Sequence, residues 1–433
     1  MAAKIAIKNL GPITDCTMPL NDFTVLTGAQ ASGKSTIAKC IYFCRTIKDD
    51  ICEDVFKYSL LMNGQYSLKN TILRTLRNKF LQMFGTSKAM SNNMLLRYEY
   101  SEQTFVEITL RMQERDEFIN PKYVYIKFSN DIEKFMSTVQ ISNIKRETLQ
   151  NELNELFHDD YESIFIPAGR SLISLLTSQL NYLFATMDDD QKRSIDFCTQ
   201  KYIERILKIR PLFNDGLDGL AYQKSNVTRI NKKATDKILD LISTILKGRY
   251  VFVNSEERLY LTDNHDETDR FVKINYTSSG QQETVWIFNI LFHLLVSKTK
   301  AFIILEEPEA HLYPDAQKYI SEILALMSNQ DCQLFITTHS PYILGAINNL
   351  IYANYLSSNR VITNDVNNLV DPQCQIKNHC AYYVKNGSIE SCLEDSSEKL
   401  IMNEMIDGAS FEINSLYDEL LELSWKAGES DVV

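Results

Sequence analysis

Apolar residues follow two rhythms along the chain. In "KIAIKNL" (4–10), "LRYEYSEQTFVEITLRMQE" (96–114) and "KYVYIKFSND" (122–131) they alternate with polar ones, as in strands with one solvated face. In "DFTVLTG" (22–28), "SIFIPAGR" (163–170), "AFIILEE" (301–307) and "CQLFITTHS" (332–340) they run together, as in strands buried on both faces. Three further β segments are predicted, "RYVFVN", "RLYLTD" and "FVKINYT", between 249 and 277. Helical spacing appears in "TIAKCIYFCRTI" (36–47), over much of 45–92 with "ILRTLRNKFLQMF" clearest, near 146–157, and through most of the stretch up to about 247. It returns in the apolar run Val285–Val296, from Pro314 to Met327 and from Pro341. After Leu350 the pattern predicts a few strands and then an acidic helix, "EINSLYDELLELSW" (412–425).

Buried strands alternating with helices at both ends predict an α/β fold with a parallel-centred sheet, assembled from residues 1–50 and 250–380. Residues 51–249 then form an insertion with an antiparallel β lobe and a helical part, and 381–433 an acidic helical tail. The insertion is too short and too broken by strands for a long antiparallel coiled coil. No internal repeat or low-complexity segment is present.

Composition narrows the class. With 44% hydrophobic and 23% charged residues the chain can bury a large core, which excludes disorder over most of its length. The start lacks the apolar core and small-residue cleavage site of a leader, and Asn289 and His293 interrupt the longest apolar run, so a cytoplasmic chain without a membrane span is expected. Nine scattered cysteines read as reduced thiols, and Cys374, His379 and Cys380 lack the fourth ligand of a zinc site. The net charge of -11 is uneven: Lys192–Arg249 holds 13 basic against 6 acidic residues, and residues 381–433 hold 12 acids against 3 lysines. The basic run reads equally as a groove for nucleic-acid phosphates or as a solvated face, and the acidic tail as a docking surface or a solvated amphipathic helix.

Three stretches carry chemistry. "GAQASGKST", Gly28–Thr36, has the P-loop spacing between an apolar strand and a helix. Its backbone, from Gly28 through Ala29, Gln30, Ala31, Ser32, Gly33, Lys34 and Ser35 to Thr36, would wrap nucleotide phosphates. Lys34 would supply a charge and the Ser35 hydroxyl would meet Mg²⁺. Glu306 and Glu307 end a buried strand, which delivers both carboxylates to the same sheet edge: Glu306 toward Mg²⁺, Glu307 toward a water attacking the γ-phosphate. His339 ends the next buried strand and would hydrogen-bond that phosphate or water. A fourth stretch, "YTSSGQQETVWIFNILFHLL" (276–295), sets a polar turn before an apolar helix, with Ser279 as the expected N-cap and Gln282 as its capping-box partner.

Taken in order, Gly28–Ser35, "SSGQQE" (278–283), "IILEEPEAHLYP" (303–314) and "TTHSP" (337–341) resemble the ABC-class ATPase heads of the SMC/RecF group. They are most similar to the "AAA family" ATPases related to the OLD proteins and to the ATPase subunits of Septu-type and PARIS-type anti-phage systems. The resemblance implies ATP and Mg²⁺ as cofactors, with Lys34, Glu307 and His339 catalytic and Ser35 and Glu306 at the metal. It makes Ser278, Ser279, Gly280 and Gln282 a signature that meets the nucleotide of another subunit, and "EAHL" (309–312) the D-loop. Arg170 would take a polar role near the nucleotide or the subunit interface. Two departures stand out: Glu306 replaces an aspartate, and Gln281 a glycine. No glutamine loop is identified. The resemblance further implies a homodimer or higher homo-oligomer, slow hydrolysis, and control of a separate effector, a nuclease, in anti-phage defence. The residues after Leu350 lack the acidic-strand pattern of a nuclease domain. The alternative is a RecF-like repair or recombination ATPase acting directly on DNA; a transporter ATPase is disfavoured by the insertion and the SSGQQ form.

Overall fold

The computed structural model describes residues 3–61, 67–112, 122–139, 145–171, 195–227, 229–261, 270–358 and 363–402, with isolated positions elsewhere. Lys192 and Arg193 of the basic run and most of the expected helix 412–425 lie outside the described residues. The strands among the described residues are β1 (Lys4–Leu10), β2 (Ile13–Pro19), β3 (Phe23–Gly28), β4 (Leu95–Glu99), β5 (Phe105–Met112), β6 (Lys122–Phe128), β7 (Glu162–Ile166), β8 (Gly248–Val253), β9 (Glu256–Leu261), β10 (Phe271–Lys273), β11 (Ala301–Glu306), β12 (Cys332–Thr338), β13 (His379–Lys385) and β14 (Ser388–Ser391). Helices α1–α5 are Lys34–Arg45, Ile47–Leu61, Leu68–Phe84, Asn130–Thr138 and Arg146–Leu156. Helices α6–α12 are Phe197–Ile209, Gly216–Ser225, Lys232–Leu246, Ser279–Ser297, Pro314–Ser328, Pro341–Ser358 and Thr363–Leu369. No helix among the described residues is long and apolar enough to cross a membrane.

One large sheet has the order β6-β5-β4-β1-β2-β14-β13-β3-β12-β11-β7, and β10-β9-β8 form a small second sheet. The centre of the large sheet is parallel: β13, β3, β12, β11 and β7 pair in one direction. The far end, β1, β2 and β4–β6, is antiparallel. The period-2 geometry of β11 sends Phe302 and Ile304 to one face, with Ile37, Phe43 and Phe80, and Ile303 and Leu305 to the other, with Trp286, Ile290 and Leu324. Both faces are therefore covered, which is why β3, β11 and β12 read as continuous apolar runs. Burying each such side chain contributes about 1.5–3 kcal/mol.

The mixed α/β architecture and parallel centre agree with expectation; several local details differ. The sheet draws β4–β7 from the segment read as an insertion, and β14 with most of β13 from the segment read as the tail, so one sheet spans segments that the strand–helix alternation separated. A helix, α11, runs on to Ser358 where strands were expected after Leu350, because Ile351 and Ala353 keep its apolar face packed. The strand β2 was not anticipated: its exposed Thr14, Asp15 and Thr17 mask the buried Cys16 and Met18.

Register fixes where the chemistry falls. Glu306 lies opposite Thr337, Thr338 opposite Thr27, Ile166 opposite Leu305 and Val384 opposite Gly28. The segments leaving β3, β7, β11 and β12 thus gather at one carboxyl edge, the binding edge of open α/β sheets.

Candidate functional site

The loop after β3 leads into the first turn of α1. Gly28 has φ 145, and a Cβ there would lie 2.6 Å from the Val384 carbonyl oxygen, so only glycine fits against β13. The Lys34 ammonium donates to the carbonyls of Gly28 and Ala29, each at 2.8 Å. Burial lowers the pKa of Lys34, while the charges of Glu307, Glu309 and Glu306 oppose the shift. A cleft of about 370 Å³ is lined by Gln30 through Thr36, Pro12, Glu307 and His339. The structure therefore brings together the loop, one of the two strand-end carboxylates and the histidine.

Glu306 sits beneath this cleft, 5% exposed. Burial raises its pKa, and hydrogen bonding from the nearby Ser35 hydroxyl and the Ala168 amide opposes the rise. Its Oε2 accepts from the Ala168 amide at 3.3 Å, whereas Oε1 has no partner of good hydrogen-bond geometry. The buried Glu306 carboxylate and the Ser35 hydroxyl beside it offer the hard oxygen donors that Mg²⁺ takes, and Mg²⁺ needs only one or two of them from protein when phosphates and water complete its shell. Among the described residues no cluster of three or more His, Cys, Asp or Glu could hold a metal by itself. The segment after β7, which reaches Glu306 through Ala168, carries no glutamine in 167–171.

Glu307 and His339 face each other across the cleft. Glu307 adopts φ +46, a left-handed conformation that costs energy in a non-glycine residue. Three bonds to its backbone hold it: its amide donates to Thr337 O at 2.9 Å, and its carbonyl accepts from Arg170 Nη2 at 2.9 Å and from the Ala310 amide at 3.1 Å. His339 Nδ1 lies 3.6 Å from Glu307 Oε1 and 3.4 Å from Glu309 Oε1. Glu309, 5% exposed, accepts through Oε1 from the Thr338 hydroxyl and the His339 amide. Sequence reading placed Glu309 in the D-loop and missed this grip; the signal was a third acid two residues beyond the pair.

The polar turn before α9 is capped in a different register from the one expected. Ser278, not Ser279, is the N-cap, and Gln281 rather than Gln282 closes the capping box: Ser278 Oγ accepts from the Gln281 amide, and Gln281 Oε1 accepts from the Ser278 amide. Gln281 Nε2 also donates to Leu246 O at 2.7 Å, tying the turn to the end of α8. Gln282 instead donates to Thr277 O at 2.9 Å. Gly280 packs so closely on the loop after β11 that an added Cβ would lie 2.7 Å from the His311 carbonyl oxygen. A second cleft of about 510 Å³ is lined by Ser278–Gln281, Lys247, His311 and Tyr313 among others. It shares no lining residue with the P-loop cleft.

Arg170 is fully buried inside the subunit, so the interface position considered for it is corrected. The basic run is partly neutralised within the chain: Arg205 pairs with Glu162, Lys201 with Glu204, Lys233 with Asp371 and Lys237 with Glu322.

Comparison with known proteins adds a family to this geometry. Residues 1–344 match the AAA ATPase domain. The chain belongs to that family. No curated protein matches the ATPase. Among solved structures it is similar to an SMC head bound to the C-winged helix domain of ScpA, at 12% identity and a TM-score of 0.42, over 90% of this chain and 95% of that one. It is also similar to the SMC head domain from Thermotoga maritima, at 13% identity and a TM-score of 0.35, over 90% of this chain and 98% of that one. A third similar structure is the Smc head domain with an extended coiled coil bound to the C-terminal domain of ScpA from Pyrococcus furiosus, with 13% identity, a TM-score of 0.35, and coverage of 90% and 94%.

Proposed function

We propose that this ATPase binds ATP with Mg²⁺ in the P-loop cleft, hydrolyses it slowly, and builds each active site from two copies arranged head to tail. The observation that carries the reading is the separation of two clefts in one chain: the P-loop with Glu307 and His339 in one, the Ser278–Gln281 turn in the other. Amides at the start of a long helix form an anion site, and the phosphate that meets this one comes from a second copy. Two copies that each set their P-loop against the other's turn, related by a two-fold axis, hold two composite sites.

Within a composite site, the loop amides and Lys34 hold the phosphates, and Ser35 and Glu306 hold Mg²⁺. Bound Mg²⁺ supplies charge neutralisation at the phosphate oxygens. Glu307 accepts a proton from the attacking water, which its outward carboxylate can reach, and His339 donates a hydrogen bond at the same edge. Ser279 and Gly280 of the other copy close the site. Because the chemistry waits on assembly, ATP acts as a reversible clamp. From the motif resemblance, we assign the clamp to the control of a separate nuclease effector in anti-phage defence.

The test is the mass of the Glu307→Gln protein with and without ATP. Stopping hydrolysis should trap a dimer or larger assembly only when ATP is present; a monomer under both conditions contradicts the reading.

A further inference from the structure

Arg170 and Glu283 meet in the interior, 0% and 1% exposed, although they come from the turn after β7 and the second turn of α9. Arg170 Nε lies 3.2 Å from Glu283 Oε2 and donates to the Glu283 carbonyl at 3.1 Å. Glu283 in return accepts from the backbone amides of Arg170 at 3.0 Å and Ser171 at 2.8 Å. The remaining guanidinium donors reach the other way: Nη1 to Glu306 O at 2.7 Å and to Pro167 O at 2.6 Å, Nη2 to Glu307 O at 2.9 Å. One planar fork thus binds three segments that the topology keeps separate.

We propose that Arg170 is a positioning residue that, with Glu283, links occupancy of the Ser278–Gln281 turn to the backbone of Glu306 and Glu307. The inference rests on the reading that a second copy's phosphate docks at that turn. Ser279 and Glu283 are one helical turn apart, and the Thr284 hydroxyl donates to Gly280 O at 2.7 Å, which stiffens the first turn. A shift of the first turn on anion binding therefore moves the Glu283 carboxylate with it. Arg170 follows, because a buried cation does not give up its carboxylate partner at low cost. Its other end grips the carbonyl of Glu307, a residue held at φ +46, so a small displacement there re-aims the Glu307 side chain. Arg170 is not among the residues that line the P-loop cleft; it acts through the backbone of Glu307, which is.

Two measurements test this on the full chain. Arg170→Lys keeps a cation beside Glu283 and loses the fork, so kcat should fall by about tenfold or more while KM for ATP stays within about twofold. A wild-type kcat, or a loss carried by KM, overturns the proposal. To keep the test independent of how that variant folds, hydrogen exchange is followed in parallel in the unaltered chain and in Ser279→Arg, each with a non-hydrolysable ATP analogue. Amides of 168–171 and 306–309 should gain protection in the wild-type chain and not in Ser279→Arg. Equal protection in both, or none in either while the wild-type chain assembles, overturns the link. Failure of the wild-type chain to assemble with the analogue instead removes the composite-site reading on which the link rests, and the link with it.

Discussion

Glu309 Oε1 accepts from the Thr338 hydroxyl at 2.7 Å and from the His339 amide at 2.9 Å, so one buried carboxylate sets the end of the strand that presents the histidine. Glu309→Ala would leave the buried Thr338 hydroxyl and the part-buried His339 amide without this acceptor, a loss of about 1–3 kcal/mol. It should also free the His339 ring from its place beside Glu307. Thermal unfolding and turnover measured on the same preparation check this: the melting temperature falls and kcat falls, with ATP binding retained. Unchanged kcat in a folded variant contradicts the role given to His339.

Gly280 is confined by a neighbour's backbone. A methyl group there would sit 2.7 Å from His311 O, and a carbonyl cannot rotate aside as a flexible side chain would. Gly280→Ala should therefore push the α9 turn away from the loop after β11 while Lys34 and the loop that would hold ATP stay in place. Equilibrium ATP binding should match wild type while steady-state hydrolysis drops. Equal loss of both would mean that the turn and the P-loop are one site within one chain.

His293 gives a pH dependence with a defined sign. Burial lowers its pKa to about 4, with Lys224 and Arg205 next among the causes, whereas an ordinary histidine titrates near pH 6.5. The folded chain therefore binds fewer protons here than the unfolded chain. The stability this provides is full above pH 6.5 and lost as pH falls toward 4. Asp49, raised to about 6 chiefly by burial, acts in the opposite direction over an overlapping range, so a comparison of variants is needed. His293→Leu should lose less melting temperature between pH 7 and pH 5 than wild type does. An identical loss in both contradicts the assignment.

What the sequence revealed follows from how locally each feature is encoded. The P-loop depends on a contiguous glycine and lysine spacing, and β11 and β12 are buried on both faces, so each is legible as a run. The cap of α9 was read one residue late because Ser278 and Ser279 are equally good caps locally. Only the distant Leu246 carbonyl, which takes the Gln281 side chain, selects between them. The same contact gives Gln281 a second, long-range role beside its capping-box bond to Ser278. Glu309, Arg170 and Glu283 were beyond reach for a related reason: their partners lie 29, 136 and 113 residues away. The available signal was an acid inside an otherwise apolar helix, at Glu283, which a buried arginine had to answer.

The composite site is tested most directly by mixing two chains, each defective in a different half. Lys34→Ala lacks a working P-loop and Ser279→Arg a working turn, so each alone should hydrolyse ATP poorly. In an equal mixture half of the dimers pair one of each, and each such dimer holds one intact site, which predicts roughly a quarter of the wild-type rate. No recovery above the separate chains would contradict the account, because a site contained within one chain cannot be restored by mixing.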